Sequence, residues 1–236
     1  MKILIIQSFI FLILISCKQR NIDNDQKIPD IADTTNNKIE ASKTKFDTIL
    51  NNSKYLILST KAAEIKIVKE REVEKFTTFD VITGYHDGDV VLGKRVQFDD
   101  IKIYRKFHPV KTFEDFKVEI YSGNLAKPDF SSNPTYQKFK SRIQLGCNKG
   151  VNFAGHYTLI TWGCGSPCEI GVAVDRKNGK IFDGFGSSTG IAFRVDSRLI
   201  IRNFNAIDST TSLIRTCAYC DVTMAEWTGT ALKEIE

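Results

Sequence analysis

Five residues outside the N-terminus have the types and spacing for chemistry. Cys164 and Cys168 flank Gly165-Ser166-Pro167, Cys217 and Cys220 flank Ala218-Tyr219, and His156 lies eight residues before Cys164. Thiols in two close pairs can form disulfides, hold a metal or act as nucleophiles. An even set of four favours disulfides wherever the compartment is oxidising. If Gly-Ser-Pro is a three-residue hairpin loop, Cys164 and Cys168 stand opposite one another across two strands. Opposed residues lie about 4.5–5.5 Å apart at Cα, within disulfide reach. Cys217 and Cys220 can then pair locally, or each can cross to the first pair.

Three other chemistries compete for the same residues. Four thiolates could build a zinc site, the right ligand type in an unfavourable compartment. Cys217-Ala-Tyr-Cys220 has redox spacing, but Asp221 and a strand pattern follow where a thiol-activating helix should begin. A cysteine with His156 as base would be a nucleophilic pair. With His156 and Cys164 on one strand, eight residues place them roughly 26 Å apart, so only Cys217 or Cys220 could partner the histidine. The competing role for His156 is a strand histidine with a satisfied hydrogen bond. His86, Asp87 and Asp89 offer possible metal ligands, but a calcium loop needs more oxygens at fixed spacing, so turn chemistry is the better reading. Gly184-Phe-Gly-Ser-Ser-Thr-Gly190 lacks the Gly-Lys-Ser/Thr ending of a phosphate loop and reads as a flexible connection. No metal ligand, cofactor or catalytic set emerges from these residues.

The sixth cysteine and the chain's first residues concern location. Lys2 precedes an apolar run, Ile3 to Ile15, that would span roughly 20 Å as a helix, short of a bilayer core. Leu14-Ile15-Ser16-Cys17 resembles the lipobox of bacterial lipoproteins, which implies cleavage after Ser16 and lipidation of Cys17. A single acyl chain binds a membrane only marginally, so two or three chains are expected. Residues 1–16 thus read as a signal peptide and 17–45 as the lipidated cysteine and a disordered tether, polar and free of aromatic residues. No acidic residue follows Cys17 directly. The expected location is the outer membrane, facing the periplasm, with the membrane and an envelope protein or cell-wall ligand as partners.

The whole chain of 236 residues carries a net charge of +5 spread along its length. Nucleic-acid binding would want a basic stripe with stacking aromatics, and the richest stretch, Lys138 to Arg142, is short. Residues 46–115 read as a β-rich region with strands at Tyr55–Leu58, Ile65–Val68, Val90–Phe98 and Ile101–Phe107. Residues 116–236 read as an α+β domain. Ser132-Asn133-Pro134 starts a helix whose stripe is Tyr136, Phe139, Ile143 and Cys147, which makes Cys147 a core thiol, and Gly150 ends it. Strands follow at Phe153–Trp162, Glu169–Asp175 and Lys180–Phe185, the last two joined through the hairpin signal Asn178-Gly179. Ile191–Val195, Leu199–Phe204, Leu213–Cys217, Val222–Trp227 and Ala231–Ile235 continue the series. The fold expected is α+β, an antiparallel meander with one helix packed on it.

The stretch from about Val118 to the C-terminus resembles a family of uncharacterised exported bacterial proteins. The resemblance rests on Asp129-Phe-Ser-Ser-Asn-Pro134, Asn152-Phe-Ala-Gly-His-Tyr157, Trp162-Gly-Cys-Gly-Ser-Pro-Cys168, and Val174-Asp175 with Asn178-Gly179-Lys180. It implies a shared domain without an assigned activity. The leading expectation is a non-catalytic binding or structural protein of the envelope. A thiol-dependent enzyme or redox protein using Cys217 or Cys220 near His156 is one alternative, and a four-cysteine zinc domain the other.

Overall fold

A computed structural model describes residues 45–84, 88–215, 219 and 221–235. The signal peptide, Cys17, the tether as far as residue 44, His86, Asp87, Cys217 and Cys220 all lie outside the described residues. Those described contain one α-helix and antiparallel strands in several sheets, so the α+β class holds while the single meander does not.

In the first part of the chain the strands are β1 (Asp47–Asn51), β2 (Tyr55–Ser59), β3 (Glu64–Lys69), β4 (Asp80–Gly84), β5 (Asp89–Lys94) and β6 (Ile101–Lys106). β2 shows why they form. Tyr55, Ile57 and Ser59 are buried while Leu56 and Leu58 are partly open, the alternation of a pleated strand with one core face. β3, β5 and β4 form one sheet, and Tyr55, Ile57, Val91, Val96, Ile101 and Ile103 share a single core. The strand expected to run from Val90 to Phe98 ends at Lys94. Arg95 follows with φ 67°, and Phe98–Asp100 is a 3-10 turn.

The helical segment begins as a 3-10 turn, Pro134–Phe139, and becomes α1 over Lys140–Cys147. Tyr136, Phe139, Ile143 and Cys147 all enter one cluster with Trp162, Val172 and Val174, which is why the stripe forms. Gly150 has φ 90°, a conformation that costs glycine little, just past the helix end.

The remaining strands are β7 (Tyr157–Gly165), β8 (Cys168–Asp175), β9 (Ile181–Phe182), β10 (Ile191–Phe193), β11 (Leu199–Arg202), β12 (Leu213–Arg215), β13 (Thr223–Trp227) and β14 (Leu232–Ile235). The sheet β7-β8-β9 is covered on both faces. Ile160, Trp162, Val172 and Val174 meet α1, whereas Tyr157, Leu159 and Ala173 meet Ile200 and Trp227 of the sheet β10-β11-β13-β14. On the far side of β11, Leu199 and Ile201 pack with Phe107, Phe113 and Phe116.

β12 breaks the meander. It leaves its sequence neighbours and pairs with β6, giving the order β1-β2-β6-β12. Arg105 of β6 also reaches Asp221, 116 residues later, with Nη2 2.7 Å from Oδ1.

Candidate functional site

The Asn152–Tyr157 motif is a turn rather than the start of a long strand. Tyr157 exchanges backbone hydrogen bonds with Phe153, and Ala154 (φ 45°) and Gly155 (φ 80°) carry the reversal. The Asn152 amide pairs both ways with the backbone of Leu159, at 2.7 and 2.9 Å. Gly155 N–H donates to Val195 at 2.7 Å and its carbonyl accepts from Tyr121 at 2.8 Å, so the turn is clasped by two distant segments. Phe153, Ala154 and Tyr157 fill the core.

His156 therefore stands on a turn, just before β7, and not within a strand. Its ring stacks on Tyr157 with centroids 4.2 Å apart. Its Nε2 is 3.8 Å from Asp175 Oδ1, beyond hydrogen-bond reach. Burial lowers its pKa below the ordinary imidazole value and Lys177 pushes the same way, with Asp175 opposing. Asp175 itself accepts from Lys177 N–H and Asn178 Nδ2, both at 2.8 Å, the side-chain chemistry of a tight turn.

Cys164 and Cys168 form a disulfide with Cα atoms 5.1 Å apart. The geometry differs from a simple three-residue hairpin. Cys168 is paired with Gly165, the loop is Ser166-Pro167, and the register slips between Gly163 and Gly165 at Cys164. The bulge brings the two sulfurs together at an exposed tip. The bond removes both sulfurs from a four-thiolate zinc set and from cross-pairing with Cys217 or Cys220. Cys147 is a buried free thiol, and burial pushes its pKa up.

Asp89 is likewise engaged. Its carboxylate accepts from Lys54 Nζ at 2.6 Å and Tyr55 Oη at 2.7 Å, and pairs with Lys69. Burial opposes its ionisation, but the hydrogen bonds from Lys54, Lys69 and Tyr55 outweigh it and hold the carboxyl well below the usual range. A cation would have to displace two ammonium groups to bind there. Among the described residues no cluster of three His, Cys, Asp or Glu side chains could hold a metal.

The 184–190 loop is pinned by a residue the sequence did not single out. Asn203, in the left-handed region at φ 56°, accepts from Ser188 N–H at 2.7 Å and Thr189 N–H at 3.1 Å. Its Nδ2 donates to Asp221 O at 2.6 Å. The N–H groups that would cradle a phosphate thus already hold an amide oxygen.

Arg176 is the second residue missed. It is 6% exposed and among the described residues pairs with no carboxylate. Nη1 donates to Cys147 O at 2.6 Å and Thr158 Oγ1 at 3.0 Å, and Nε to Ala126 O at 3.0 Å. The carbonyl end of α1 supplies the negative pole that a carboxylate would otherwise provide. Period-two parity with Val172 and Val174, which face α1, was the available signal.

What stays open is a cleft. A cavity of about 470 Å³ runs from Pro167-Cys168 past Ser187, Ser188, Asn203 and Tyr219 to Asp221. A second, about 720 Å³, continues through Arg105, Lys106, Phe107, His108 and Val110. The two share Arg202, Asp221 and Thr223 and so adjoin. Tyr219 and Asp221, on either side of Cys220, both lie in the wall with Cys168. His156 is beside Asp175, at the other end of β8, about 23 Å away along a strand of this length. His156 and the flanks of Cys220 are not brought together.

The architecture defines an α+β domain of several antiparallel sheets, tipped by a disulfide and bearing a two-part cleft among the cavities of the described residues. No protein-family model, curated protein or solved structure matches the chain.

Proposed function

We propose that this protein is a lipid-anchored component of the bacterial cell envelope, acylated on Cys17, with a non-catalytic binding role. The observation that carries the binding role is the division between engaged and open residues. The residues that the sequence singles out are mostly engaged: Cys164 and Cys168 in a disulfide, Cys147 in the core, Asp89 between two lysines, and His156 on a clasped turn with its ring against Tyr157. The adjoining cavities are open. The disulfide supports an oxidising, exported location, since such bonds are rare in reducing compartments. An outer-membrane, periplasm-facing position and membership in the exported family that residues 118–236 resemble belong to the same proposal.

Acylation is tested by intact mass of the full chain purified from membranes. The expected mass lacks residues 1–16 and carries diacylglycerol and a further acyl chain, and Cys17→Ala releases the protein into the soluble fraction. An unacylated Cys17 overturns the anchor. Alkylation before and after reduction reads the thiols. Turnover of thiol, ester or peptide substrates that is lost in His156→Ala would overturn the non-catalytic role.

A further inference from the structure

The adjoining cavities differ in chemistry along their length, and together they suggest an occupant. At the disulfide end the wall offers the hydroxyls of Ser187, Ser188 and Thr223 and the ring of Tyr219, which is 60% exposed. A tyrosine displayed beside hydroxyls presents an apolar face and polar neighbours together. That combination suits a sugar ring, whose axial C–H face is apolar and whose rim is hydroxylated.

Beyond Asp221 the lining becomes cationic. Lys54, Arg105, Lys106 and Arg202 face two carboxylates, Asp221 and Glu234. Arg105 pairs with Asp221, and Arg202 with Glu234, so these two pairs shape the walls. Lys54 is drawn toward Asp89, which Lys69 also neutralises. Lys106 donates to the Asn51 amide oxygen at 2.7 Å and, among the described residues, meets no carboxylate. Exposed His108 lies in the same wall. The surplus is positive, and a positively lined cleft raises the local concentration of anions.

We infer that this cleft binds an extended glycan carrying carboxylate groups, one sugar stacking on Tyr219 and a carboxylate beyond Asp221 meeting Lys106. The inference rests on the binding role proposed above and names its ligand class. Its length favours a polymer over a small metabolite, because a single sugar would fill only one of the two cavities. Ring stacking and hydroxyl contacts favour a glycan over an acidic peptide.

The test uses the full chain in detergent micelles and calorimetric titration with three probes: oligogalacturonate, chitohexaose and polyglutamate. Oligogalacturonate is expected to bind, and both Tyr219→Ala and Lys106→Glu to weaken it about tenfold. Tyr219→Phe should retain binding, and added salt should weaken it. Circular dichroism of each variant shows that the fold is kept, as exposed Tyr219 and half-buried Lys106 permit. Equal binding of chitohexaose overturns the carboxylate requirement. Tighter binding of polyglutamate, unaffected by Tyr219→Ala, replaces the glycan with an acidic peptide. No binding of any probe overturns the inference while leaving the mass of acylated Cys17 unchanged. An unmodified Cys17 would fail the anchor and leave the titration standing.

Discussion

The buried guanidinium of Arg176 donates from Nη1 to the carbonyl oxygen of Cys147 at 2.6 Å, joining the end of β8 to the last turn of α1. A helix terminus leaves its last carbonyls without intrahelical partners. Here Cys147 O accepts from Gly150 N–H at 3.1 Å as well as from the guanidinium, whose Nε also reaches Ala126 O in the preceding loop.

Arg176→Ala should destabilise the fold by about 3 kcal/mol. Hydrogen bonds from a charged donor are worth about 1.5–3 kcal/mol; without the guanidinium Cys147 O keeps only its bond from Gly150 N–H, and Ala126 O loses the Nε donor. Arg176→Lys should recover little, because an ammonium lacks the planar fork that serves two directions at once. Urea unfolding followed by tryptophan fluorescence reads both, since Trp162 packs with α1.

Gly155→Ala is expected to cost about 2–3 kcal/mol, from the left-handed backbone and from steric conflict. An added Cβ would collide with the carbonyl oxygen of Glu119, a backbone atom that has little room to move. Gly150→Ala has the same sign of φ but meets nothing within 4 Å, so it should cost less. Comparing the two thermal midpoints separates backbone strain from collision.

Asp89 should shape the acid limb of stability. Its folded-state carboxyl lies well below the ordinary value of 3.8, so its contribution is complete above that pH. As pH falls through 3.8 the unfolded chain takes up the proton first, and the contribution declines until the folded carboxyl protonates. Asp89→Asn should lower stability at pH 7, where Lys54 and Lys69 lose their shared counter-charge. It should also flatten the slope below about pH 4. Denaturation midpoints between pH 7 and 2 measure both effects.

Asn203→Ala removes the acceptor for Ser188 and Thr189 and the donor to Asp221. A loss of about 2 kcal/mol is expected, together with faster amide exchange at residues 188 and 189. Asn203→Gly keeps the left-handed backbone but not the hydrogen bonds, so it should restore stability in part and leave exchange fast. Slow exchange at both amides in Asn203→Ala would mean that the loop holds itself.

Local patterns were legible and distant pairings were not. The stripe Tyr136, Phe139, Ile143 and Cys147 announced a buried helix face because 3.6-residue periodicity is written in adjacent residues. Asn178-Gly179 marked its turn, with Gly179 at φ 88°. β1, Asp-Thr-Ile-Leu-Asn, went unread because its outer residues are exposed and polar and its pairing is interrupted by a register shift. Ala154 in a left-handed turn leaves no compositional trace, so the sequence alone puts His156 on a strand. The division into several sheets depends on β12 choosing β6, a decision no window of neighbouring residues contains. The cleft shares that origin, since its Arg105–Asp221 pair joins residues 116 positions apart.

The β6–β12 pairing also sets an order of events during folding. Residues up to Lys106 have one side of β6 unsatisfied until Leu213–Arg215 arrive to close it. An open strand edge invites pairing with other chains. A product stopped before Leu213 should therefore self-associate through β6, and the completed chain should fold in a late step timed by arrival of its C-terminal part. The short strand β12, three residues in length, thus acts as the seal that turns an adhesive nascent sheet into a finished one.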